Sequence, residues 1–357
     1  MKEFLRRTFY FVTEKLASRK MERTELLPAF QLHRTLPKNF DPVHTSYFER
    51  ELKKTFGPVT QVVVQTPLLV VEEGIVLKRG HMVSESLMND SIRNWFGPSF
   101  LLNAYKKSKL LPFARYLYVY NHFGAGYGHW LADVLPRLFM LKEHAKEYIL
   151  VLPEHYSSFH LETLKPFGIG REQVQFLERG ASYRLPQVTL VSHVGTSCNT
   201  KDEVLQELRA FYLNYYVGSQ WPVPSKKLYI SRSRMKNRRV MNEMEVEELL
   251  IQQGFQILYP EESNFEEQVK LFAECKVLVG LTGSGLTNML FMQKGSAVVE
   301  FKMEEDFKNL HYFSMSSAMQ LDYYYLLCKT KGEDRFTADF KVDLESLEAV
   351  LEEIIKK

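Results

Sequence analysis

The sequence predicts an α/β protein of two domains, and three observations carry that expectation. Short apolar runs rich in β-branched residues recur along the chain, separated by stretches of helical length, as they do when strands alternate with helices. The clearest example runs from Lys276 to Phe301. It reads as a buried strand (Lys276–Gly280), a glycine turn (Leu281–Gly285), apolar residues at helical spacing (Leu286–Met292) and a second buried strand (Gly295–Phe301), which together make a βαβ unit. The length of 357 residues sets a prior of two domains at about 150 residues each. The stiff connection Trp221-Pro222-Val223-Pro224-Ser225 divides the chain into expected domains 1–220 and 225–357.

Taken in order, residues 1–23 are basic, with Lys2, Arg6, Arg7, Lys15, Arg19 and Lys20 around apolar residues at roughly helical spacing. No unbroken apolar core of a signal peptide or membrane span is present there. A packed N-terminal helix is the favoured reading, and contact with an anionic membrane surface is the alternative. Residues 27–42, rich in proline and polar side chains, read as a loop. Strands are expected at Val62–Val64, Leu68–Val71, Ile75–Leu77, Arg115–Val119, Ile149–Val151, Gln175–Leu177 and Gln187–Val191, and a helix at Asp202–Tyr216. The glycine-rich stretch Asn121–Gly128 leads into His129 and Asp133, which lie four apart and share a helical face. Pro136 restricts that helix to a start or a kink. Glycines are costly for stability, so their density here argues for close approach by another group.

The second half repeats βα units. Lys227–Ile230 reads as a strand, followed by five basic residues between Arg232 and Arg239. Ligands of α/β sheets bind beyond strand C-termini, so this basic loop is placed to meet an anion. An acidic helix (Asn242–Gln253), a strand (Phe255–Leu258), a helix (Asn264–Cys275) and the unit described above follow, then a strand at Asp322–Cys328 and a terminal helix at Leu344–Ile355. This half is therefore expected to be Rossmann-like. Its glycine turn offers backbone N–H groups and a helix N-terminus to phosphate. Glu300, expected at the end of the next strand, is placed to accept hydrogen bonds from a ribose.

Composition excludes several classes. Net charge is +3, and no basic stripe interleaved with aromatics is present, which argues against nucleic acid. The three cysteines have no CxxC spacing, so neither a disulfide scaffold nor a cysteine zinc site is expected. The chain lacks a P-loop, a GxSxG elbow and an HExxH motif. The nearest GxGxxG match, Gly283–Asn288, has Asn in place of the third glycine. No Asp-x-Asp pair exists to hold a metal–diphosphate, so a bound diphosphate would have to be neutralised by arginines, N–H groups and a helix dipole.

Three blocks together resemble glycosyltransferase family 61. They are Gly128–Leu131 with Asp133–Arg137; Ser231-Arg232 through Arg238-Arg239 to Asn242-Glu243; and Gly283–Phe291 with Gly295-Ser296 through Glu300. The resemblance spans roughly Tyr118 to Phe301 and is to GT-B enzymes. It implies two Rossmann-like domains facing across a cleft, with the nucleotide-sugar in the C-terminal one and the acceptor in the N-terminal one. It implies metal-independent transfer with inversion and no cofactor beyond the nucleotide-sugar, here expected to be UDP-linked. The expected partners are that donor and a carbohydrate or lipid-linked glycan acceptor, in surface-polysaccharide assembly. The expected location is cytoplasmic, with residues 1–23 as a possible peripheral contact at the inner face of the membrane. The expected catalytic residues are Asp133 and His129. Arg232, Arg238, Thr282, Gly283, Ser284, Gly285, Thr287 and Asn288 are expected to bind the nucleotide-sugar, with Glu300 on the ribose and Glu262 as the weaker candidate. The family usually has histidine where this chain has Thr282, a change that removes a potential charge near the diphosphate. The alternatives are a nucleotide-dependent oxidoreductase and a non-catalytic sugar- or partner-binding module on a degenerate transferase scaffold.

Overall fold

A computed structural model describes residues 21–156, 158–304, 309–332, 334 and 337–356. Residues 1–20, which carry most of the basic segment, lie outside the described residues. Among the described residues two compact units are formed, one within residues 21–30 and 56–196 and the other within 31–55 and 197–356. The connection at Trp221–Ser225 lies inside the second unit.

The first unit contains two sheets. Its strands are β1 (Glu22–Leu27), β2 (Val59–Val64), β3 (Leu68–Val71), β4 (Ile75–Lys78), β5 (His81–Met82), β6 (Lys109–Leu110), β7 (Tyr116–Tyr118), β8 (Ile149–Pro153), β9 (Val174–Leu177), β10 (Ser182–Leu185) and β11 (Val188–Val191). The larger sheet runs β1-β2-β11-β7-β8-β9. β11, β7, β8 and β9 are parallel neighbours, and β2 pairs antiparallel with both β1 and β11. The smaller sheet runs β5-β4-β3-β10-β6. Its Leu69, Val71, Ile75 and Leu77 pack with Met82, Leu87 and Ile92 in a separate apolar cluster. β3 and β4 are buried along their whole length, which accounts for the Val/Ile/Leu runs Leu68–Val71 and Ile75–Leu77, and Lys78 at the end of β4 is buried with them.

The second unit is a doubly wound sheet. β12 (Lys226–Ile230), β13 (Gln256–Leu258), β14 (Cys275–Leu281), β15 (Ala297–Met303), β16 (Asp322–Lys331) and β17 (Asp339–Lys341) are arranged β13-β12-β14-β15-β16-β17. All neighbours are parallel except the last pair. Helices α1 (Asp202–Tyr216), α2 (Glu243–Gln252), α3 (Phe265–Ala273), α4 (His311–Ala318) and α5 (Leu344–Ile355) accompany it. Side chains alternate across the pleat, so Tyr229, Val277, Val279, Val299, Phe301 and Tyr324 share one face with Val246 and Leu250 of α2 and with Leu347 and Leu351 of α5. Each such aliphatic side chain contributes about 1.5–3 kcal/mol on full burial. α1 packs with α3, α4 and the 3-10 helix Ser284–Phe291, and its Arg209 donates to the Met292 carbonyl at 3.0 Å.

Several expectations change in the structure. Glu22 and Arg23 open β1, so a helix through residue 23 is replaced at its end by a strand paired with β2. The expected loop at 27–42 contains a strand, Phe30–His33, which pairs with Lys53–Phe56. The segment 31–55 is held in the second unit by contacts distant in sequence: Phe48 is fully buried, with its ring 4.9 Å from Phe313 and 5.4 Å from Tyr325, and Thr35 N donates to Ser317 Oγ at 2.9 Å. Leu286–Met292 was expected as an α-helix, but Ser284–Phe291 is 3-10, and its residues from Leu286 onward are all buried. β15 continues to Met303, which puts Glu300 in mid-strand. Among the described residues, no helix is long and apolar enough to cross a membrane, and all three cysteines are free and buried.

Candidate functional site

In the second unit, β12 is followed in the chain by β13 on one side, whereas β14 lies on its other side. The loops leaving β12 and β14 therefore begin at the point where the strand order reverses, the usual place for a ligand in an open parallel sheet. These are the basic loop Ser231–Arg239 and the turn Thr282–Gly285.

The root of the basic loop is fixed by Glu243, buried at the first turn of α2. Its Oε1 accepts from Ser231 Oγ at 2.7 Å, from Tyr229 Oη at 3.0 Å and from the Arg232 backbone N–H at 3.2 Å. Burial pushes the Glu243 carboxyl pKa up, and the donors from Ser231, Tyr229 and Arg232 oppose that shift. Arg232 folds back over its own loop, with Nε donating to the Arg238 carbonyl at 2.7 Å and Nη2 to the Asn237 carbonyl at 3.2 Å. That engages two of its five N–H donors. Arg238, at a left-handed φ of 57°, donates from Nη2 to the Thr282 carbonyl. Burial, then the neighbouring Arg238 cation, lowers the Arg232 pKa. An anion placed beside the two guanidiniums would offset both effects.

The glycines explain how the turn reaches these arginines. A Cβ on Gly283 would lie 3.2 Å from Arg232 Nη1, and one on Gly285 would lie 3.3 Å from Ile230 Cδ1. Both contacts are tight, so the close approach that the glycines permit is, within the unit, approach to Arg232 and to the end of β12.

The structure thus brings Arg232, Arg238, Thr282 and Gly283 together, with Gly285 beside them and Ser284 exposed at the start of the 3-10 helix. Glu262 stands beyond the end of β13, exposed and paired with Arg234. Thr287 and Asn288 turn inward: both are buried, and Asn288 Nδ2 donates to Gln268 Oε1 at 2.9 Å. Glu300 is wholly buried. Its Oε2 accepts from Tyr323 Oη at 2.6 Å, and its Oε1 lies 3.4 Å from Lys302 Nζ. The remaining basic residues of the loop divide as well, since Arg239 pairs with Asp339 at 3.1 Å.

In the first unit the corresponding place is the loop after β7, between β11 and β8. His129 Nδ1 and Asp133 Oδ2 are 2.7 Å apart, with Asp133 2% exposed. They lie on a composite helix: an α-turn at Tyr127–His129, a π-helix at Trp130–Val134 and an α-helix at Leu135–Phe139. Pro136 has no N–H to give the Ala132 carbonyl, and just before it Leu135 N donates to Trp130 O, five residues back. The His129 ring stacks on Phe123 at 5.1 Å. Gly124 lies against Tyr156, whose hydroxyl would sit 2.7 Å from an added Cβ. The tight contact at this glycine is therefore internal.

Sequence reasoning gave no role to Glu243 or Arg137. Arg137 is fully buried, one turn beyond Asp133. It donates from Nε to Val191 O at 2.8 Å, from Nη1 to Val119 O at 2.7 Å and from Nη2 to Glu85 O at 2.9 Å. It joins the ends of β7 and β11 across the reversal of strand order. Burial pushes its pKa down to about 10. Its spacing from Asp133 was the available signal, but an i,i+4 Asp/Arg pair reads as an ordinary surface bridge. Among the described residues, no group of three or more His, Cys, Asp or Glu is arranged to hold a metal ion.

By fold, the protein is an α/β chain whose conspicuous polar groups gather where the strand order reverses in the parallel part of each of two mixed sheets. Residues 127–299 match the family model described as Glycosyltransferase 61, so that segment is similar to glycosyltransferase family 61. The family implies glycosyl transfer from a sugar donor to a glycan acceptor. No curated protein matches the chain. The matched segment begins at Tyr127, two residues before His129, and ends at Val299 within β15, so it contains the composite helix, the basic loop and the glycine turn.

Proposed function

We propose that this glycosyltransferase is an inverting, metal-independent enzyme of GT-B type that uses a nucleotide-sugar, UDP-linked, in the assembly of a surface polysaccharide or other glycan. The observation that carries the donor part is the convergence of Arg232 and Arg238 on Thr282 and Gly283 at the reversal of strand order. In this mechanism the acceptor hydroxyl oxygen attacks the anomeric carbon and the bond from that carbon to the phosphate oxygen breaks. The hydroxyl proton passes to Asp133, which His129 orients, and the negative charge left on the diphosphate is stabilised by Arg232, Arg238 and the turn at Gly283–Gly285. Thr282 replaces the family histidine with a neutral group, so the two arginines carry the compensation.

The test is thermal unfolding with UDP and UDP-sugars, followed by hydrolysis and transfer assays in excess EDTA. UDP at about 100 times Kd should stabilise the protein by roughly 2.7 kcal/mol, and turnover should survive EDTA. A strict requirement for added Mn²⁺ or Mg²⁺ would defeat the metal-free mechanism. Binding without any turnover would favour the non-catalytic module.

A further inference from the structure

The basic loop sends one arginine away from the glycine turn. Arg234 lies over Tyr259, with its guanidinium carbon 3.8 Å from the ring centroid. It also pairs with Glu262, and Ser233 Oγ is 3.4 Å from Tyr259 Oη. Tyr259 follows β13 and is half-buried, so the ring is anchored and one face is covered by Arg234. A planar, delocalised cation stacked on an aromatic face occupies the position a nucleobase would take.

We propose that Tyr259 seats the nucleobase of the donor, and that Arg234 holds that place in the ligand-free protein and is displaced from it on binding. The proposal rests on the nucleotide-sugar reading above and extends it to the base and ribose. The placement fits the sheet. Neighbouring strands lie about 4.8 Å apart, so β13 and β14, on either side of β12, end about 10 Å from each other. A nucleoside diphosphate spans that gap from a base on Tyr259 to a terminal phosphate beside Arg232 and Gly283. Displacement of Arg234 is easy, because its side chain is 53% exposed and that of Glu262 is 57% exposed, so their attraction is screened by water. Once Arg234 leaves, the carboxylate of Glu262, whose backbone N–H donates to the Tyr259 carbonyl at 3.0 Å, is released beside the base seat to accept from ribose hydroxyls. Glu300, enclosed by Tyr323 and Lys302, has no such exposure.

The experiment is titration of the full chain with UDP, GDP, ADP and inorganic pyrophosphate, for wild type, Tyr259→Ala, Tyr259→Phe and Arg234→Ala. Tyr259→Ala should weaken the best-bound nucleoside diphosphate about tenfold or more while leaving pyrophosphate affinity unchanged, as expected for loss of one stacking face. Tyr259→Phe keeps the ring and should bind that nucleotide as wild type does. Arg234→Ala should bind it at least as tightly as wild type, since only a placeholder is removed. Wild-type nucleotide affinity in Tyr259→Ala would overturn the base seat. Equal weakening of nucleotide and pyrophosphate in Arg234→Ala would make Arg234 a phosphate ligand and overturn its role as placeholder. Failure of wild type to bind any of the three nucleotides would overturn the nucleotide reading itself and this proposal with it.

Discussion

Each unit places a glycine-rich segment beyond a parallel strand, at a point where the strand order reverses, yet the two segments use their charges in opposite ways. After β7, Arg137 is enclosed and its donors meet the carbonyls of Val119, Val191 and Glu85. Asp133 is likewise buried, with His129 as its link to the surface. After β12 and β14, Arg232 and Arg238 ride on an irregular loop that is only partly buried, and each donates to backbone carbonyls of the loop or the turn. The first arrangement resists movement and suits a group whose position must be fixed. The second leaves Arg232 and Arg238 partly exposed on a loop held by a few hydrogen bonds. Similar residue types at similar topological positions therefore differ in burial and in the partners they meet.

The largest expected effect tests the fixed site. Asp133→Asn preserves size and most hydrogen bonding, so UDP affinity and unfolding temperature should change little. Turnover should fall by about 10² to 10⁴ if Asp133 takes the acceptor proton. His129→Ala should fall less if the histidine only orients the carboxylate. Near wild-type turnover in Asp133→Asn would move the base elsewhere. An Asp133→Asn chain that fails to fold would make the carboxylate a packing element of the composite helix.

The sequence was informative where local pattern decides structure. Helices Asp202–Tyr216 and Leu344–Ile355 were legible to the residue because each has a clear apolar face with bounding signals. The His129–Asp133 contact followed from i,i+4 spacing and survived the change to π geometry. The allegiance of residues 31–55 was not legible, because Phe48 is secured by Phe313 and Tyr325, far along the chain. Glu300 shows a different limit. An acidic residue near the end of an apolar run reads as a strand terminus, but Tyr323 and Lys302 supply partners that let the strand pass it and bury it. Arg137 and Glu243 stood in the recognisable motifs without a role, since only the fold shows which carbonyls or donors surround them.

The next effect compares the two kinds of arginine directly. Arg137→Met should cost about 3–5 kcal/mol of stability by urea unfolding, because it leaves several buried carbonyls without donors. Arg238→Ala should leave stability within about 1 kcal/mol and instead weaken UDP binding and transfer together, by roughly 3 kcal/mol in the transition state. Arg238→Lys should recover part of that loss, because a point charge remains but the forked donor does not. If Arg238→Ala binds UDP and turns over as wild type does, the arginine is not at the donor. If Arg137→Met keeps wild-type stability, the enclosed network is not what fixes the first unit.

The smallest effect is a difference in pH response between the same two regions. Burial, and then the adjacent Arg137 cation, hold the His193 pKa well below its ordinary value of 6.5. The folded protein therefore refuses a proton that the unfolded chain accepts, and stability present above about pH 6.5 is lost as the pH falls toward the folded pKa. The slope contributed by this one group is at most about 1.4 kcal/mol per pH unit. Glu243 in the second unit acts with the opposite sign. Burial raises its pKa above 4.5, so the folded state retains a proton longer than the unfolded chain, and its contribution is present below that value and lost as the pH rises through the raised pKa. Unfolding temperatures of wild type, His193→Gln and Glu243→Gln between pH 4.5 and 7.5 separate the two. His193→Gln should flatten the loss of stability toward acid, and Glu243→Gln should steepen it. An unchanged slope in His193→Gln would mean that the imidazole titrates alike in both states and is not held neutral against Arg137. A flatter slope in Glu243→Gln would mean that the carboxylate is stabilised by its three donors more than it is penalised by burial, which would make the root of the basic loop an anion-stabilising site in its own right.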